Sequence, residues 1–132
     1  MNVLKGKICS IKNNGELCLV SIQVGELKFS AIVIDTPQTC SYLQLKHPVK
    51  VIFKETEVIM ATGKIHPISL QNRIPGTIFL IESDNLLSKV VVDSSVGKIT
   101  SIITTNAVNQ LGLEVGKEVI AMIKTNELML SQ

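Results

Sequence analysis

Cys9, Cys18, Cys40, His47 and His66 are the side chains whose types could ligate a metal cation or act as nucleophile and base. Their spacing suits neither task. Neither histidine stands at ligand distance along the chain from a cysteine or a cluster of carboxylates, so no transition-metal site is spelled out. No nucleophile-base arrangement, phosphate-cradling glycine loop or carboxylate pair stands out, and the chain reads as a protein that is not an enzyme. What remains are donors at the borders of apolar stretches. Ser69 and Asn72 precede a strand, where such residues usually satisfy local backbone groups. Thr104 is one β-branched residue among many, and Lys54 and Lys124 close apolar runs as solvated strand-end cations would.

The elements that must position these residues come as a repeat. Shifted by 70 positions, the chain matches itself without a gap: Gly6 meets Gly76, Ile8 meets Ile78, Val20 meets Val90, Lys28 meets Lys98, Val49 meets Val119 and Lys54 meets Lys124. A constant offset with apolar positions falling on apolar positions marks a duplicated structural unit. The hinge is the stretch Ile68–Thr77. Two units are expected, residues 1–62 and 68–132, each of about sixty residues and too small to be stable alone, so they should lean on each other or on further chains.

Composition narrows the partners. The net charge is +2 with scattered Lys and Arg, aromatics make up 3%, and Tyr42 is the only tyrosine. That lacks both the basic footprint and the stacking platforms of nucleic-acid binders. No apolar run approaches bilayer length and the first twenty residues do not read as a secretion signal, so a cytoplasmic protein without membrane association is expected. The cysteines face Phe79, Ser88 and Gln110 in the second repeat, which fits ordinary reduced thiols rather than a shared disulfide framework.

Along each repeat, a strand ends at a turn signal (Lys12–Gly15), a second runs from Glu16 to Val24, and a third from Lys28 to Ile34. Thr36-Pro37 can start a short helix over Gln38–Leu43, and Asn106 can cap Ala107–Leu111 before Gly112. Val49–Lys54 and Val119–Lys124 are fourth strands, and Val58–Met60 and Leu128–Leu130 short fifth ones. An all-β fold of two tandem five-stranded OB-like Greek-key barrels, each with one short helix, is predicted. A sandwich-like arrangement is the alternative.

The run Ser69-Leu70-Gln71-Asn72-Arg73-Ile74-Pro75-Gly76-Thr77-Ile78, then Leu111–Val119 (LGLEVGKEV), then Ile123-Lys124, closely resembles the Mop domain of the molbindins. Similar modules occur in the molybdate-responsive transcription regulator and on molybdate-transporter ATPases. The resemblance covers the second repeat; the first is tied to it by the offset. It implies a tandem Mop-domain protein that binds molybdate or tungstate, with no organic cofactor, in a homo-oligomer whose pockets lie between modules or subunits. It also implies oxyanion contacts from Ser69, Gln71, Asn72, Thr104 and Lys124, with Lys54 as the one counterpart kept in a degenerate first repeat. Where the family commonly has Arg, this chain has Gln71, and Arg73 would point the same way along an extended segment.

Residue chemistry supports that reading. Molybdate is a tetrahedral dianion with four acceptor oxygens, so it requires N–H and O–H donors and little competing carboxylate. A pocket holding donors alone also disfavours protonated phosphate, whose O–H would find no acceptor. Storage or buffering of the oxyanion is therefore expected. The competing expectation is an interaction or regulatory module that keeps the fold with weak or no oxyanion binding, suggested by Gln71 and the degenerate first repeat.

Overall fold

The computed structural model describes residues 1–63 and 67–132, so the His66 reading and part of the connection between repeats lie outside the described residues. The strands are β1 (Asn2–Asn14), β2 (Leu17–Val24), β3 (Leu27–Val33), β4 (Pro48–Phe53), β5 (Ile59–Ala61), β6 (Asn72–Ser83), β7 (Leu87–Ser94), β8 (Gly97–Thr104), β9 (Glu118–Ile123) and β10 (Met129–Ser131). One α-helix, α1 (Thr105–Leu111), follows β8, and 3-10 turns at Glu55–Glu57 and Thr125–Glu127 follow β4 and β9.

The 70-residue offset survives into hydrogen-bond register. Asn2 opposes Phe53 in the β1–β4 ladder, and Asn72 opposes Ile123 in the β6–β9 ladder. Both long first strands carry a bulge at the same place, between Ile8 and Ser10 and between Ile78 and Leu80. Such a bulge bends the strand, letting it serve two neighbours in a curled sheet. Just before it, a side chain would have no room: a Cβ on Gly6 would lie 2.5 Å from the Gln23 carbonyl oxygen, and one on Gly76 2.5 Å from that of Asp93. Glycine there permits the close approach of neighbouring strands.

Strand alternation drives the packing. In β2, Cys18, Val20, Ile22 and Val24 point inward, and Val90 and Val92 do the same in β7. A single continuous core runs through both halves. Ile, Val and Leu dominate it as expected, but the first half also seats Phe29 and Phe53 where the second has Ile99 and Ile123. Each such side chain contributes roughly 1.5–3 kcal/mol by leaving water. All three cysteines are free, and burial pushes the Cys18 thiol pKa upward.

Each sheet has five strands, as predicted, but the fifth is lent by the other half. The orders are β10-β4-β1-β2-β3 and β5-β9-β6-β7-β8. Leu130 pairs with Val51, and Met60 with Ala121. Each sheet draws strands from both halves of the chain. The exchange follows from the 3-10 turns, which carry the chain off β4 onto β8 and off β9 onto β3. Val58, Met60 and Leu128 are thereby buried across the divide.

Two asparagines fasten the same divide. Asn72 Nδ2 donates to the Ser30 carbonyl at 2.9 Å while its Oδ1 accepts from the Ser30 N–H at 2.7 Å. Asn2 does the same with Thr100, at 2.8 and 2.9 Å. A primary amide offers one donor and one acceptor side by side and so completes an exposed peptide edge as another strand would.

The expected pair of helices is reduced to one. Residues 36–42 form turns, with the Cys40 N–H on the Thr36 carbonyl at 2.9 Å. Pro37 removes a donor, Thr39 is β-branched, and Tyr42 stands where the second half has Gly112. Gly112 ends α1 in the left-handed region (φ 62°), as expected of it. The cap is Thr104 rather than Asn106: its Oγ1 accepts from the Ala107 N–H at 3.1 Å.

Candidate functional site

The β6–β9 ladder begins at Asn72 and Ile123, which leaves Gln71 and Lys124 one step beyond it on facing chains. Successive residues of an extended chain point to opposite faces. Gln71 is accordingly exposed, Asn72 fully buried and Arg73 half-buried. Lys124 is exposed and its backbone remains extended (φ −69°, ψ 150°) as it enters the second 3-10 turn. Ser69 lies exposed in the non-strand segment leading to Gln71. Ser69, Gln71 and Lys124 thus share one end of one strand pair.

That segment is held by Arg73. Its Nε donates to the Leu70 carbonyl at 2.8 Å and its Nη2 to the Ile68 carbonyl at 3.1 Å, so the guanidinium grips the backbone on both sides of Ser69. The alternation of an extended strand puts Arg73 on the side of Gln71, but its guanidinium folds back onto the preceding backbone. The grip depends on the segment doubling back, which residue types do not announce.

Other residues of the set are placed differently. Asn72 turns away from the exposed face and uses its amide to clasp Ser30, which makes it a structural residue of the divide. Thr104 ends β8, the strand that receives the first 3-10 turn, directly after Lys54. The second 3-10 turn, after Lys124, lies instead on β3, which leads to Ile34 in the place of Thr104. Thr104 itself opposes Leu87 at the end of β8, and its hydroxyl caps α1.

The two ends differ in charge. Glu55 follows Lys54, and its carboxylate takes the Met1 α-ammonium at 2.8 Å, which holds its pKa below the ordinary value. Thr125 occupies the corresponding place after Lys124. At the Lys124 end the first acid along the following turn is Glu127, whose backbone N–H donates to the Lys124 carbonyl at 3.0 Å, so hydroxyl, amide and ammonium groups come first. An offset comparison of Glu55 with Thr125 could have revealed this from sequence.

An open groove of about 910 Å³ runs elsewhere, beside Gly76, Thr77, Asp93, Ser94 and Glu118. It is poorly suited to an anion: two carboxylates line it, and the Lys117 ammonium beside them is held by the Leu111 and Gly112 carbonyls at 3.0 and 3.2 Å. Among the described residues no group of three or more His, Cys, Asp or Glu side chains is placed to hold a metal cation.

The TOBE domain model matches residues 68–130. Molybdenum-pterin-binding protein 1 of Clostridium pasteurianum is 34% identical to this chain over 64 residues, 48% of this chain and 94% of the relative. A probable molybdenum-pterin-binding protein of Haemophilus influenzae is 36% identical over 63 residues, covering 47% and 91% respectively. Among solved structures, the cytoplasmic molybdate-binding protein ModG, in a crystal form with molybdate bound, superposes with a TM-score of 0.90 at 28% identity. That match takes in 98% of this chain and 94% of the other. Relatives one module long match about half of this chain, and a structure of two-module length matches nearly all of it. With the duplicated register and the two OB-like sheets, the conclusion is that this chain belongs to the Mop family of TOBE-domain proteins, in tandem form.

Proposed function

We propose that this protein binds molybdate or tungstate reversibly, in the cytoplasm, as a store or buffer, and that it does no catalysis. The observation that carries the proposal is the likeness along nearly the whole chain to a structure holding molybdate, coupled with the exposed donors Ser69, Gln71 and Lys124 at one end of the β6–β9 pair. A fully ionised tetrahedral dianion is stabilised there by a charge-assisted bond from Lys124 and neutral donors around it. Ser69, Gln71 and Lys124 are all exposed. We place the remaining donors on a second copy of the chain, so that the homo-oligomer completes the site, with Thr104 reaching it from the neighbouring subunit. Its hydroxyl oxygen accepts in the helix cap, which leaves its proton available to an anion.

Calorimetric titration of the assembled protein with molybdate, tungstate and sulfate tests the reading. Heat is expected with the two metal oxyanions and little with sulfate; silence with both would overturn it. The neutral Gln71 favours a second reading, an interaction module that keeps the fold with weak or no oxyanion binding. Micromolar or tighter molybdate binding abolished by Lys124→Ala excludes that reading.

A further inference from the structure

The Lys124 end is short of charge for its ligand. A dianion facing one ammonium keeps a net charge of −1, and Gln71 adds none. Arg73 is the other cation on this face of β6, two residues from Gln71 and on the same side of the strand. Its guanidinium does not reach out along the sheet. It folds back to the Leu70 and Ile68 carbonyls, which places its charge against the backbone that carries Ser69.

A guanidinium has five N–H donors in a planar fork. Two are engaged by those carbonyls, and among the described residues Arg73 makes no ion pair. Carbonyl contacts orient the fork without neutralising it. The group is thus a fixed, half-buried cation with free donors, and a planar fork so held loses little further freedom on meeting an oxyanion.

Resting on the reading that this end binds a metal oxyanion, we propose that Arg73 is a second ligand cation of the site. It donates from its free N–H groups to the oxyanion bound by Ser69 and Lys124, and so brings the ligand near neutrality. In that role Arg73 both positions the Ser69 segment and contributes charge. The charge is the part that bears on selectivity, because a second fixed cation favours a fully ionised dianion over a monoanion of similar size.

The test compares wild type, Arg73→Gln, Arg73→Lys and the relocated pair Gln71→Arg with Arg73→Gln, each titrated with sodium molybdate at low and high chloride and each melted without ligand. Arg73→Gln is expected to weaken molybdate binding about tenfold or more, and to lessen its salt dependence, with the melting temperature nearly unchanged. Arg73→Lys and the relocated pair, which keep a cation on this face without the carbonyl grip, should recover most of the affinity and the salt dependence. Unchanged binding by Arg73→Gln overturns the proposal. So does a loss that neither cation-restoring variant recovers, since that pattern belongs to a purely structural grip. If Arg73→Gln fails to fold, the relocated pair and Arg73→Lys carry the decision by the same criteria. Wild type that binds neither molybdate nor tungstate removes the underlying reading, and with it this one.

Discussion

The Lys54 end of the first half and the Lys124 end of the second are the same place in a repeated fold, yet they arrange charge differently. Lys54 is followed by Glu55, and Lys124 by Thr125. Met1 stands where Gln71 stands, its ammonium taken by the Glu55 carboxylate at 2.8 Å. A dianion approaching Lys54 meets the Glu55 carboxylate, itself paired with the Met1 ammonium and near Lys89; one approaching Lys124 meets hydroxyl and amide donors first. Duplication preserved what folding needs, the bulges, the close-approach glycines and the asparagine clasps, because each half completes the other. Nothing in the folding of one end requires the other to keep a ligand.

The largest effect should come from the exchanged strands. Deleting residues 128–132 removes Leu128, which is buried, and the partner of Val51 in β4. A loss of about 3–5 kcal/mol is expected, seen in urea denaturation. Hydrogen exchange should show amide protection falling in β4 of the first half, and protection falling in β9 instead would break the exchanged assignment.

The clasps come next. Asn72→Ala leaves the Ser30 N–H and carbonyl without their partner, and Asn2→Ala does the same to Thr100. Each should cost about 2–3 kcal/mol, and near-equal losses in chemical denaturation are the signature of equivalent roles. Asn72→Ala that kept full stability and lost only ligand affinity would return this residue to the binding set.

Affinity should separate the two lysines. Lys124→Ala is expected to weaken molybdate binding about tenfold or more and Lys54→Ala by less than about threefold, read by calorimetry on proteins of equal melting temperature. Equal losses would show that Glu55 does not close the first end.

The smallest effect concerns acid. Glu55 has a folded pKa lowered from 4.5, chiefly by the bond from the Met1 ammonium. A depressed carboxylate contributes stability above its unfolded pKa and loses it as pH falls through the lower folded value. Glu55→Gln should therefore lower the melting temperature slightly at neutral pH and converge on wild type as pH falls well below about 4.5, flattening the acid fall. The pair is exposed, so the shift is small.

Much of this was legible in the residues, and the failures are instructive. The offset of 70 predicted two equivalent sheets, and it reappears in ladder register and bulge position. The first helix was misread because Thr36-Pro37 signals a start, while the residues after it neither favour a helix nor supply the glycine that ends α1. Strand exchange was invisible: Met60 and Leu130 present the same alternation to β4 as to β9, so the pattern suits either partner. The family resemblance grouped Asn72 and Thr104 with Lys124; the buried Asn72 amide clasps Ser30, and the Thr104 hydroxyl caps α1.

The order of residues by itself determined the repeat, the strands, the buried faces and the stock of donors, because these depend on period, propensity and residue type over short distances. Tertiary structure alone decided which half supplies each fifth strand and where the Arg73 guanidinium comes to rest. Those outcomes turn on how two 3-10 turns redirect the chain across a shared core, a competition between nearly equal pairings that local sequence does not settle.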